Sequence, residues 1–120
     1  MHELSIAMAL VEMATEKLEA LGDVRVEALH LRLGPLSGVV KDALAFSFEL
    51  AAAGTPIEGA RLAVTDVPLV VRCPRCGDGE IPTLQSFRCP ACGEPTSEIV
   101  QGRELELTAL EVRENAAAHR

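Results

Sequence analysis

The only cysteines of this 120-residue chain stand as Cys73-Pro74-Arg75-Cys76 and Cys89-Pro90-Ala91-Cys92, with twelve residues between the pairs. Each Cys-x-x-Cys turn presents two sulfurs to a common point, and two turns supply the four thiolates of a closed tetrahedral Zn²⁺ site. Two disulfides would need an oxidising compartment, and the start of the chain reads as an amphipathic pattern, not as the basic-then-apolar leader of a secreted protein. A redox pair needs one Cys-x-x-Cys and would leave the other unexplained. All four sulfurs are therefore assigned to one structural zinc, which leaves no open position for a catalytic water.

A second donor set lies at Met1-His2-Glu3. With histidine at position 2, the Met1 amine, the His2 backbone amide and the His2 imidazole can close two fused chelate rings on one cation, and Glu3 is near enough to add a carboxylate. Three nitrogens nearly in a plane suit Ni²⁺ or Cu²⁺. The amide must lose its proton to bind, so affinity falls with acid.

These groups need elements to position them. From Leu4 to Leu21 the apolar residues Leu4, Ala7, Met8, Val11, Ala14, Leu18 and Leu21 recur at helical spacing, and Gly22-Asp23 stops the run. Met8 and Met13 read as gap-fillers of a core. Val24 to Leu33 reads as a strand whose apolar parity changes near Ala28, the mark of a bulge or of a central strand covered on both faces. Gly34 to Gly38 is a turn, with Ser37 a candidate cap for a helix over Val39 to Ala53 whose broad apolar face, Phe46 and Leu50 included, is expected to be buried. Arg61 to Asp66 and Arg103 to Val112 alternate as strands. Between the cysteine pairs Gly, Asp, Pro and Thr dominate without periodicity, as in a lobe held by metal. The expected fold class is α+β: two helices on a three-stranded sheet, with an inserted four-cysteine zinc-ribbon lobe. The boundaries are 1–66 and 103–113 for the main domain, 67–102 for the lobe and 114–120 for a flexible tail. A lobe tethered at both ends can exchange between two copies, giving a homodimer.

The formal net charge is −7 and the aromatic residues are Phe46, Phe48 and Phe87 alone. Four thiolates on Zn²⁺ add a further charge of about −2. This opposes nucleic-acid binding, which depends on neutralised phosphates and stacked bases. No apolar run approaches a membrane span, and reduced thiolates place the chain in the cytoplasm. Ser5, Ser37, Ser47, Ser86 and Ser97 have no activating neighbours in the sequence and no phosphate cradle is present, so no enzyme is read here. His30 reads as a polar-face residue, His119 as part of the tail, and Glu49, Glu104, Glu106 and Glu111 as solvated faces.

Taken in order, Met1-His2-Glu3-Leu4-Ser5-Ile6, Leu33-Gly34-Pro35-Leu36-Ser37-Gly38, Phe46-Ser47-Phe48-Glu49 and the two Cys-Pro-x-Cys turns span nearly the whole chain. This pattern resembles the HypA/HybF family of hydrogenase maturation proteins. The resemblance implies a nickel metallochaperone, with nickel held by the Met1 amine, the amide and imidazole of His2, and Glu3, and with zinc held by Cys73, Cys76, Cys89 and Cys92. It also implies two partners, the GTPase HypB and the large subunit of a nickel-iron hydrogenase. Some members of the family carry a nickel-site carboxylate where this chain has Val40, which leaves Asp42 or a water to stand in. The alternative reading is a zinc-ribbon adaptor or transcription-associated binding module with no nickel cargo.

Overall fold

The computed structural model describes residues 2–81, 87–96 and 98–115. Its first element, α1 (His2–Leu21), follows the three-four spacing of its apolar residues and turns Ala7, Leu10, Val11 and Ala14 inward. Gly22, at φ 92°, ends it and leads into β1 (Val24–Leu33). A single 3₁₀ turn (Pro35–Ser37) precedes α2 (Lys41–Ala52). The later strands are β2 (Arg61–Asp66), β3 (Leu69–Cys73), β4 (Gly77–Ile81), β5 (Glu98–Gln101) and β6 (Leu105–Glu114).

The strands form two sheets of three, ordered β2-β1-β6 and β4-β3-β5. The α+β expectation therefore holds, and β1 is central in its sheet. Successive residues Ala28 and Leu29 are both fully buried at the point where the apolar parity changes. One core joins Ala7, Leu10 and Val11 of α1 with Leu44, Phe48 and Ala52 of α2 and Val26, Leu29 and Leu31 of β1. Burying each large aliphatic or aromatic side chain there contributes about 1.5–3 kcal/mol.

The second sheet was not expected, since the segment from Gly77 to Ile81 lacks strand periodicity. It forms through backbone pairing: β3 meets β4 antiparallel from Leu69↔Ile81 to Cys73↔Gly77. On its other side β3 meets β5 antiparallel, with a register shift between Val70 and Val71. Its core is small, with Leu69, Val71 and Ile81 buried and Leu36, Phe87 and Ile99 packed against them.

Three further expectations are corrected. Ser37 does not cap α2; Val40 holds the cap position in extended conformation, with no side-chain cap of its own. Phe46 and Leu50 are 64% and 58% exposed, because α2 buries only the Leu44-Phe48-Ala52 stripe. Met8 and Met13 likewise stand exposed on α1 and do not fill the core.

The chain divides into two compact units, Met1–Leu31 with Val39–Val64 and Leu107–Arg120, and Arg32–Gly38 with Thr65–Glu106. Within the second, Gly34 passes so close to Gly102 that a β-carbon on Gly34 would run into the Gly102 carbonyl. Hydrogen bonds from the Gly34 amide to the Glu104 carbonyl (2.8 Å) and from the Leu36 amide to the Gly102 carbonyl (2.7 Å) fasten the two passages together. Among the described residues no helix is long and apolar enough to cross a membrane.

Candidate metal centres

The two cysteine turns are built alike. β3 delivers Cys73, the chain turns through Pro74 and Arg75 to Cys76, and Gly77 at φ 85° starts β4. In the second turn Gly93, at φ 80°, follows Cys92 in the same way. The Cys89 amide donates to the Glu94 carbonyl and the Gly93 amide to the Cys89 carbonyl, both at 2.8 Å. The sequence reading passed over Gly77 and Gly93, although a glycine after each Cys-Pro-x-Cys is visible there. A side chain at either position would be strained by the left-handed backbone. The second turn also lies close against β4, since a β-carbon on Gly79 would stand 2.7 Å from the Pro90 ring.

The four sulfurs lie within 4.8 Å of one another, and Cys73 Sγ is 3.7 Å from Cys92 Sγ. A tetrahedral Zn²⁺ with Zn–S bonds of about 2.3 Å requires sulfur separations of about 3.8 Å, so both the donor set and its spacing fit zinc. The Ala91 and Cys92 amides each donate to Cys89 Sγ at 3.4 Å. Those amides, Cys92 first, pull the Cys89 thiol down to about 6. Cys76 is pushed up to about 12 by its hydrogen bonds with the Cys92 and Cys89 sulfurs. A cluster whose members resist joint ionisation is stabilised by a cation that neutralises them together. Cys73 and Cys89 are buried while Cys76 and Cys92 are exposed.

The other candidate ligands lie at the start of α1. Met1 lies outside the described residues, as does His119. The His2 side chain is 63% exposed, and its Nε2 is 3.5 Å from Glu3 Oε2. Glu3 itself is only 7% exposed. The Val40 amide donates to that same Glu3 oxygen at 3.1 Å, and this bond, aided by the amide of Glu3 and opposed by burial, lowers the Glu3 pKa. Val40 is thus brought to Glu3 through its backbone. Sequence reasoning missed this contact because a main-chain donor leaves no side-chain signature. Asp42 falls in the exposed first turn of α2. His30 pairs with Glu111 at 3.1 Å and Glu106 with Arg32 at 2.9 Å, while Glu49 is exposed.

An α+β unit whose first helix opens on a histidine and a buried glutamate, joined to a small sheet that closes four thiolates, is the build of a metal-handling protein. The HypA family model, described as hydrogenase/urease nickel incorporation and metallochaperone, matches residues 1–112, and the chain belongs to this family. The chain is 53% identical over 116 residues to the hydrogenase maturation factor HypA of Roseiflexus sp. (strain RS-1), covering 96% of this chain and 94% of the relative. Against the HypA of Chloroflexus aurantiacus it is 52% identical over 112 residues, covering 92% and 98%. The solution structure of the Ni metallochaperone HypA from Helicobacter pylori superposes with a TM-score of 0.64 at 22% identity, covering 94% of this chain and 98% of that one. At that identity the likeness speaks for the fold. A metallochaperone carries metal and does not transform a substrate, which agrees with the reading of the chain as a non-enzyme.

Proposed function

We propose that this protein binds Ni²⁺ through the Met1 amine and the amide and imidazole of His2, with Glu3 part of the same site, and delivers it during maturation of a nickel-iron hydrogenase. Cys73, Cys76, Cys89 and Cys92 hold a structural Zn²⁺. Family membership across residues 1–112 carries the reading, and the burial of Glu3 beside His2 supports it. In this division of labour residues 1–66 and 103–113 form the nickel-binding domain, 67–102 the zinc-ribbon lobe and 114–120 the tail. The GTPase HypB supplies the nucleotide hydrolysis for which this chain has no phosphate-binding motif, and the hydrogenase large subunit receives the ion. A cytoplasmic setting completes this reading, since four reduced thiolates on zinc suit a reducing compartment.

The chemistry suits a carrier. A nearly planar set of nitrogens leaves axial approaches open, so an acceptor's ligand can enter before the donor's ligands leave. Proton release from the His2 amide couples retention to pH: acid returns the proton and frees the ion.

The test is calorimetric Ni²⁺ titration of the untagged, zinc-loaded protein beside His2→Ala and a variant with one glycine added before Met1. Both variants are expected to lose nickel binding while retaining one tightly held zinc. Parent-like nickel affinity in both would overturn the amino-terminal site, and a parent that binds zinc alone would favour the adaptor reading.

A further inference from the structure

We propose that Glu3 acts as a positioning residue of the nickel site: its carboxylate, anchored by the Val40 amide at the start of α2, holds His2 by Nε2 and thereby presents Nδ1 to the ion. The inference rests on the amino-terminal nickel reading above and assigns Glu3 its role within it.

Covalent connectivity decides which ring nitrogen can chelate. Counting from the His2 amide nitrogen through Cα, Cβ and Cγ to Nδ1, a metal closes a six-membered ring. Nε2 lies on the far side of the imidazole and cannot share an ion with that amide. It is Nε2, the nitrogen that chelation leaves over, that lies 3.5 Å from Glu3 Oε2. Metal-binding histidines commonly give the second ring N–H to a carboxylate, which fixes the tautomer and the ring orientation.

The carboxylate is itself held. Glu3 is 7% exposed, and the oxygen facing His2 also accepts the Val40 amide at 3.1 Å. Moving that oxygen onto a cation would take it from both contacts and leave the amide of Val40, the residue at the cap position of α2, without this acceptor. The side chain at position 40 is an exposed valine, which offers the ion no donor of its own. In this chain position 40 therefore contributes through its main chain, by fixing Glu3.

Glu3→Gln, Glu3→Ala and Val40→Pro separate positioning from ligation. The amide oxygen of glutamine can accept from both Val40 and His2 but is a poor nickel ligand. Proline removes the Val40 N–H, and the φ of −87° at this position is near proline's own value of about −65°. Nickel affinity by calorimetry, the d–d absorption of the nickel complex, and the nitrogen chemical shifts of the His2 ring without nickel are read on zinc-loaded full chains, with zinc content and helical circular dichroism as fold controls. Glu3→Gln is expected to keep the parent's absorption band and the Nε2–H tautomer, with less than about a tenfold loss of affinity. Glu3→Ala and Val40→Pro are expected to mix the tautomers and lose about 10–100-fold. If Glu3→Gln loses as much affinity as Glu3→Ala and its band shifts while the Val40→Pro protein behaves as the parent, Glu3 is a direct ligand and the proposal fails, with the amino-terminal reading intact. If His2→Ala binds nickel as the parent does, the site itself is wrong and the proposal falls with it.

Discussion

Glu3 has an acid-dependent consequence for the fold as well as for nickel. Its carboxyl is held below the ordinary value of 4.5 chiefly by the Val40 amide. A group whose pKa is depressed on folding stabilises the native state above its unfolded value, and the contribution is lost as pH falls through the folded one. Stability measured by urea unfolding at a series of pH values should show the advantage of the parent over Glu3→Gln complete at neutral pH. The advantage should shrink steadily as pH falls below the ordinary value of 4.5. A difference that does not change with pH would mean that the Val40 contact does not depend on the charge. The four cysteines were legible at this scale, because metal ligation leaves residue types and spacings in the sequence. The Glu3–Val40 bond was not, since any residue except proline carries the same backbone donor.

At the scale of elements, the two phenylalanines of α2 separate what periodicity can and cannot tell. Both fall on apolar positions of the helical pattern, but Phe48 is 1% exposed and Phe46 64%. Phe48→Ala should cost about 3–5 kcal/mol and Phe46→Ala no more than about 0.5 kcal/mol, as read from urea midpoints at constant slope. The spacing indicated a helix correctly, but its apolar arc was wider than the groove available to it, so half of that arc faces outward. The β4 strand was illegible for the opposite reason: Gly77-Asp78-Gly79-Glu80 carries almost no hydrophobic signal and is recruited by the ladder of β3. Gly102, at φ 129° with Leu69 Cδ1 2.8 Å from where a β-carbon would stand, tolerates a side chain poorly on both counts. Gly102→Ala should destabilise the second unit by about 1–3 kcal/mol, seen as faster amide exchange in β3 and β5 with little change in α1.

For the whole molecule, the two units differ in what holds them. Among the described residues the first has an apolar cluster of eleven buried residues, from Ala7 to Ile57, whereas the corresponding cluster of the second has three, Leu69, Val71 and Ile81. A core that small cannot offset the conformational entropy of ordering its strands, so the metal must supply the difference. Removing zinc with a chelator should therefore abolish amide protection in β3, β4 and β5 while α1 and α2 keep theirs, as hydrogen exchange would show. Protection retained in the second unit after chelation would mean that its strands stand without the ion.

The order of these segments along the chain also has a consequence for biosynthesis. The sulfur-bearing unit is complete once Glu106 has been made, but the unit containing His2 needs the residues from Leu107 onward. The unit that contains α1 takes in the strand made after Glu106, and the stretch Leu107–Glu114 adds roughly 0.4–1.6 s at elongation rates of about 5–20 residues per second. Translation thus finishes the sulfur-bearing unit first, by a margin of about a second, so all four zinc ligands are made while the other unit still lacks its last strand.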